Sequence, residues 1–342
     1  MRVGTTLRAG VCALGMLAAA VPALAQDVRL IGSGASFPFP IYGAWFKAFS
    51  EKTDGVTIDY QAKGSGAGIQ DLINKTVDFA ASDAAMTDEE IAQVDGGVVM
   101  LPMTAGEIVL AYNLEGVDQL NLPREVYPKI FTGEITSWND PAIAEANPDV
   151  ELPDQPITVV VRSDSSGTTY VFTKHLSAIS EDFASQVGTG KTVEWPQTDK
   201  FVAAPKNDGI TAIVLQTPGA LGYIEYGYAK LTGTPSAMLE NSSGNFVSAG
   251  AESGAAALAS ADFSGGDTRV WVEDPSNPDA YPIATFTWML FYEDQDDAKA
   301  DALRQMVAYG LTEGQKIADQ MGYIPLPEEV VEVSMEEANK IQ

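Results

Sequence analysis

The chain has 342 residues, with 20 Lys and Arg against 47 Asp and Glu, a formal net charge of -27, and one cysteine. That acidity argues against nucleic acid and anionic membranes as partners, and its plain reading is solubility. One cysteine excludes a disulfide framework, and the length suggests two domains around large cores.

Residues 1–25 read as a cleavable signal peptide. Arg2 and Arg8 form a positive start, residues 9–20 an apolar run, and Ala23-Leu24-Ala25 a small-x-small cleavage site. The run is shorter than the ~20 apolar residues of a membrane span, which disfavours an anchor. Cleavage after Ala25 removes two positive charges and the only cysteine, Cys12. An exported, unanchored protein fits a periplasm.

Beyond Gln26, short apolar runs alternate with helix-like segments. Residues 28–31 predict a strand. Residues 39–49 predict a helix with Ile41, Trp45, Phe46 and Phe49 on one face. A strand at 56–60, a helix at 69–74 and a short apolar run at 79–81 follow. Thr87-Asp88-Glu89-Glu90 is a capping box opening a short helix. Residues 98–101 and 108–112 predict two strands, and 122–147 helices with loops. Strand character returns at 157–162 and 220–224. Residues 241–266, rich in Gly, Ala and Ser, read as a variable surface region. A strongly apolar run at 285–292 precedes two helices within 297–321. This βαβ rhythm argues for an α/β fold with mostly parallel sheets flanked by helices.

Four turns of small residues stand where strands give way to helices. The most informative is Ser163-Asp164-Ser165-Ser166-Gly167-Thr168-Thr169, directly after Val159-Val160-Val161-Arg162. A helix start presents unpaired N–H groups and partial positive charge, and a guanidinium and hydroxyls beside it are donors that suit an oxyanion. The segment equally allows an ordinary N-cap with an Arg162–Asp164 surface pair. Gly32-Ser33-Gly34-Ala35-Ser36-Phe37-Pro38 offers Ser36 as a cap or as a donor beside the Phe37 N–H. In Gly64-Ser65-Gly66-Ala67-Gly68 the spacing departs from the G-x-G-x-x-G of a dinucleotide site, which leaves Ser65 as a cap or an anion donor. Asp83, in Ser82-Asp83-Ala84, is not needed to cap the next helix, because Thr87 does so. It reads as a ligand acceptor or a turn aspartate.

Nothing points to catalysis. The one histidine, His175, sits in a helical pattern and reads as a solvated residue. No G-x-S-x-G elbow, H-E-x-x-H, metal cluster or loop with calcium-ligand spacing appears in the sequence. No catalytic residue, metal or cofactor is expected.

The chain resembles the periplasmic phosphate-binding proteins of Pst-type ABC transporters over nearly all of its length beyond the leader. The resemblance rests on several motifs in order: residues 34–38 (GASFP), Tyr60-Gln61 before the 64–68 turn, and Val77-Asp78-Phe79 leading to Ser82-Asp83. It continues in 133–141 (GEITSWNDP), 162–168, 187–190, Asn207-Asp208-Gly209, 218–223 (PGALGY) and 322–327 (GYIPLP).

The resemblance implies a two-lobed, class II-like periplasmic-binding-protein fold with a mostly parallel sheet in each lobe and a multi-strand hinge. Lobe 1 would comprise residues 26–104 and 286–342, and lobe 2 residues 105–285, with crossings near 104–106 and 284–287. Phosphate contacts would fall on Ser36, Phe37 (main-chain N–H), Ser65, Asp83, Arg162, Ser166, Gly167 (main-chain N–H) and Thr168, with Asp164 pairing the arginine. It implies high-affinity capture of inorganic phosphate and delivery by a monomer to the permease subunits of an inner-membrane importer. Asp83 would discriminate: an ionised carboxylate only accepts hydrogen bonds, which a protonated phosphate satisfies and sulfate at neutral pH does not. The alternatives are another tetrahedral oxyanion, such as sulfate or molybdate, or an exported phosphatase on a related scaffold.

Overall fold

The structure, a computed structural model, describes Met1 and residues 27–342. The signal-peptide reading, apart from Met1, lies outside the described residues. The chain begins β1 (Val28–Gly34), α1 (Phe39–Lys52), β2 (Val56–Ala62), α2 (Ser65–Ile73), β3 (Phe79–Ser82), α3 (Asp88–Ile91) and β4 (Val98–Tyr112). Then come β5 (Asn121–Leu122), α4 (Tyr127–Phe131), α5 (Pro141–Ala144), β6 (Thr158–Arg162), α6 (Gly167–Ile179) and α7 (Glu181–Gln186). β7 (Phe201–Ala204), α8 (Lys206–Gln216), β8 (Ala220–Glu225) and α9 (Tyr226–Thr232) complete the second wing. The remainder is β9 (Met238–Glu240), β10 (Phe246–Val247), α10 (Ala251–Leu258), β11 (Ala284–Tyr292), α11 (Asp297–Leu311), α12 (Ala318–Met321) and α13 (Glu328–Ala338).

Eight strands form one sheet in the order β2-β1-β3-β11-β4-β8-β6-β7, and β10-β9-β5 form a second. Strands β1, β2 and β3 are mutually parallel, as are β6, β7 and β8. The two groups are joined through antiparallel neighbours: β3 with β11, β11 with β4, and β4 with β8. Two reversals make β3 parallel to β4, and one makes β8 antiparallel to it. β11 pairs with β4 over residues 98–107 and β8 pairs with it over 108–112, so the two groups flank different halves of β4 and their carboxyl ends point at each other. Ligand sites in open α/β sheets lie at such ends.

Residues 98–112 form one 15-residue strand, not the two strands that the sequence predicts. Pro102, Thr104, Gly106 and Glu107 interrupt the apolar run, but β11 pairs across the interruption and holds it extended. The register slips between Thr287 and Trp288, opposite Pro102 and Thr104. A proline cannot donate to the ladder, and a bulge accommodates that by leaving Met103 unpaired. The 104–106 and 284–287 segments lie side by side, with Thr285 opposite Gly106 and Thr287 opposite Thr104.

Each wing has its own aromatic core. Phe79 stacks at 6.1 Å on both Tyr60 and Phe291, while Phe172 stacks on Tyr223 at 4.4 Å and meets Phe131 edge-on at 4.7 Å. Fully burying one such ring contributes about 1.5–3 kcal/mol.

Two further expectations are corrected. The 241–266 segment is not simply surface: α10 packs against β11, and its Ser253 donates to the buried Glu107 at 2.9 Å. His175 is buried rather than solvated, because its helix presses it against Tyr127, whose hydroxyl lies 2.8 Å from Nε2. Burial pulls its pKa down to about 4.

Candidate functional site

The turns singled out in the sequence meet where the two sets of strand ends face each other. From one wing come Ser36 after β1, Ser65 at the start of α2 after β2, and Asp83 after β3. From the other come Arg162, which ends β6, and Gly167 and Thr168, which begin α6. Ser36, Ser65, Asp83, Arg162, Ser166 and Thr168 are all 6% exposed or less. Burying so many polar groups is tolerated only where they meet partners.

Asp83 sits at the centre. Its Oδ1 accepts from Thr287 Oγ1 at 2.9 Å, and its Oδ2 accepts weakly from Ser65 and Thr168 at 3.4 and 3.5 Å. Burial raises its pKa, and the Thr287 bond, the Arg162 charge and the other hydroxyls oppose this; the balance is about 7.

Arg162 is held in a two-bond fork by Asp164, Nε to Oδ1 at 2.7 Å and Nη2 to Oδ2 at 2.6 Å. This leaves Nη1 to reach Thr168 Oγ1 at 3.3 Å. The pair is not a surface ion pair, since the arginine side chain is 1% exposed. Burial pushes the Asp164 carboxyl up, but bonds from Arg162 and the Lys206 N–H leave it below the usual carboxylate range. The Arg162 N–H donates to Tyr223 Oη, tying the site to the aromatic core.

The remaining expected residues separate by role. Ser166 does cap α6, its Oγ accepting from the Thr169 N–H at 3.0 Å, which leaves its own proton for another acceptor. Ser36 and Ser65 are not caps: Pro38 and Gly64 hold those positions. Phe37 offers only its main chain, for its ring is fully buried and packs edge-on against Tyr323. Gly64 has φ 97°, and a Cβ there would lie 2.4 Å from Asp164 Oδ2. The wings also touch directly, with the Gly66 N–H on the Ser165 carbonyl at 3.0 Å and Lys191 paired to Glu90.

Sequence reasoning missed Asn207 and Thr287. Asn207 is buried at the start of α8 and bonds both Ser36 and Thr168. Its signal was the Asn207-Asp208-Gly209 motif after β7, another strand-to-helix junction. Thr287 left no signal, being one threonine in an apolar strand.

Two parallel α/β wings joined by long central strands, with a buried polar site between their carboxyl ends, make a periplasmic-binding-protein fold. A family model described as "PBP superfamily domain" matches residues 20–313. The phosphate-binding protein PstS of Pasteurella multocida is 38% identical over 311 residues, covering 90% of this chain and 89% of that protein. Its namesake in Haemophilus influenzae is 36% identical, covering 90% and 91%. A solved phosphate-binding protein from Stenotrophomonas maltophilia shares the fold with TM-score 0.70 at 22% identity, covering 91% and 94%. The chain belongs to the PstS family of phosphate-binding proteins within that superfamily. No helix among the described residues is long and apolar enough to cross a membrane.

Proposed function

We propose that this chain captures inorganic phosphate outside the cytoplasm and delivers it to an inner-membrane ABC importer. The observation that carries this reading is the buried convergence of one guanidinium, several hydroxyls and a helix start on a single carboxyl. The donors come from Ser36, Ser65, Arg162, Ser166 and Thr168 and from the N–H groups of Phe37 and Gly167. Neutral dipoles and one cation suit a desolvated oxyanion, because charge-assisted bonds to it are short and strong. Asp83 supplies the acceptor that a protonated phosphate oxygen needs.

In this reading lobe 1 is residues 26–104 with 286–342, lobe 2 is residues 105–285, and the paired 104–106 and 284–287 segments form the hinge. The protein acts as a periplasmic monomer, exported by residues 1–25, and docks on the permease subunits. It is a receptor, and no turnover of a chromogenic phosphoester is expected.

Calorimetric titration at pH 7.5 tests the ligand. Phosphate is expected to bind one to one with Kd of about 1 μM or tighter, near -8 kcal/mol, and sulfate at least about 100-fold more weakly. Tighter binding of sulfate or molybdate would place the chain with another oxyanion.

Gly167→Ala tests the closed geometry. A Cβ there would lie 2.4 Å from Ser65 Oγ and 2.7 Å from Asp83 Oδ2, both in the facing wing. The wings would then stay apart by the depth of a methyl group. Phosphate affinity is expected to fall by more than about tenfold, a loss of about 1.4 kcal/mol. Unchanged affinity would mean that the ligand-bound wings do not approach as closely as here.

A further inference from the structure

Asn207 has no ligand contact in the phosphate reading, yet every hydrogen-bonding atom of its side chain is committed. One Nδ2 proton is placed on Ser36 Oγ at 3.0 Å and the other on Thr168 Oγ1 at 3.2 Å. Its main-chain N–H adds a second bond to Ser36 Oγ at 3.1 Å. Its Oδ1 accepts from the Glu225 N–H at 3.0 Å. That N–H can only donate, so the amide oxygen faces it and the NH2 group must face the cleft.

The backbone beneath is equally constrained. Lys206 has φ 62°, uncommon for a residue with a side chain, and its N–H donates to Asp164 Oδ1 at 3.0 Å. Asp164 is also the carboxylate that forks Arg162, so one group sets both Arg162 and the corner that carries Asn207.

A hydroxyl has one proton and two acceptor lone pairs. Ser36 Oγ accepts twice from Asn207, and Thr168 Oγ1 accepts from Asn207 and from Arg162 Nη1. Each hydroxyl has its acceptor capacity filled and can meet a further group only by donating; the Thr168 proton rests on Asp83 Oδ2 at 3.5 Å, a long bond that a ligand oxygen can replace. We propose that Asn207 is a positioning residue for ligand capture, filling the lone pairs of Ser36 and Thr168 so that both face the ligand as donors and Asp83 is left as the acceptor. This rests on the phosphate reading of the cleft. A bare phosphate oxygen then finds a donor at Ser36 and Thr168, and an oxygen bearing a proton finds no acceptor at either hydroxyl but a carboxylate at Asp83.

The test is a double-mutant cycle on the full exported chain, read by calorimetry with inorganic phosphate. Asn207→Asp keeps an acceptor for the Glu225 N–H but accepts from Ser36, turning the hydroxyl proton away from the ligand. It is expected to weaken phosphate about 100-fold or more. Ser36→Ala is expected to cost about tenfold in the wild type and less than about twofold beside Asn207→Asp, where the hydroxyl is already lost to the ligand. Asn207→Ala, which keeps the main-chain donor, is expected to cost about tenfold and serves in the cycle if Asn207→Asp does not fold.

Phosphate affinities within about threefold of wild type in both Asn207 variants would overturn the proposal. A full tenfold cost of Ser36→Ala beside Asn207→Asp would do the same, since a merely structural role gives additive losses. A wild-type chain that binds no phosphate overturns the underlying reading instead, and the first titration separates that case.

Discussion

Arg162→Ala is expected to weaken phosphate binding by about 10²–10³-fold, the largest single loss in the cleft. Removing the guanidinium deletes the charge-assisted contact proposed for it and strands the Asp164 carboxylate, which the fork now neutralises. Breaking one partner of a buried pair typically costs about 3–5 kcal/mol, because the other charge is left uncompensated. Arg162→Lys is expected to fall between, since an ammonium cannot fork to Asp164 and still reach Thr168. Lys47→Ala, at an exposed position on α1, is the control and is expected to change affinity less than about twofold. Lys230 is unsuitable as a control, because its Nζ bonds the Asp319 carbonyl and ties α9 to α12. Equal titration curves for the Arg162 and Lys47 variants would remove the guanidinium from the site.

Asp83→Asn is expected to abolish the pH dependence of sulfate rejection. With burial holding the carboxyl near pKa 7, Asp83 is an acceptor above that pH and an acid below it. Protonated, it can donate to sulfate. Wild-type affinity for sulfate should therefore rise by about tenfold for each pH step above 7 that is reversed, then level off below. Phosphate brings its own titratable proton and should vary less. An amide at this position donates at every pH, so the variant is expected to bind sulfate about 10–100-fold more tightly than wild type at pH 8, flat across pH. A variant that rejects sulfate as strongly as wild type would show that another residue reads the proton.

The same shift has a stability consequence of fixed sign. The folded-state pKa of Asp83 is raised from 3.8 to about 7, so its contribution is fully present below about pH 4 and is lost as pH rises through 7. The ligand-free wild type is expected to lose Tm between pH 5 and 8, and Asp83→Asn to lose less, by something of order 5 °C. Burial likewise raises Glu107, to about 8, so some slope remains in the variant. Parallel Tm profiles would show that Asp83 ionises freely in the ligand-free fold.

The chemistry of the donors was legible in local sequence. A buried strand ending in Arg162, followed by small hydroxyl residues and a helix start, offered an anion site or an ordinary capped helix with an ion pair, and Ser166 does cap that helix. Asp83 stood out because Thr87 already capped the next helix, and the capping box is present in full. What local pattern could not carry was partnership across the fold. Thr287 reads as an ordinary strand threonine until β11 pairs with β3, setting Trp288 opposite Ser82 and the Thr287 hydroxyl on Asp83. Asn207, which the sequence offered only within a motif of the resemblance, gains its role when two wings place Ser36 and Thr168 around it.

By itself, then, the sequence determined the strands of the first wing and β6, β8 and β11, the helix starts after β1, β2 and β6, and which hydroxyls, acid and guanidinium stand at those breaks, while β7 and the start of α8 escaped it. These depend on neighbours within a few residues: side-chain periodicity, caps and the conformational freedom of glycine. Only the tertiary structure decided that β4 runs unbroken from one wing to the other, that the two sets of strand ends face each other, and that His175 is dry. It also decided that Asp83 is driven towards neutrality while Asp164, two residues from Arg162, is held ionised. The free energy of a charge depends on how much water it loses and which partner replaces that water, and both are set by residues as distant in sequence as Thr287 is from Asp83.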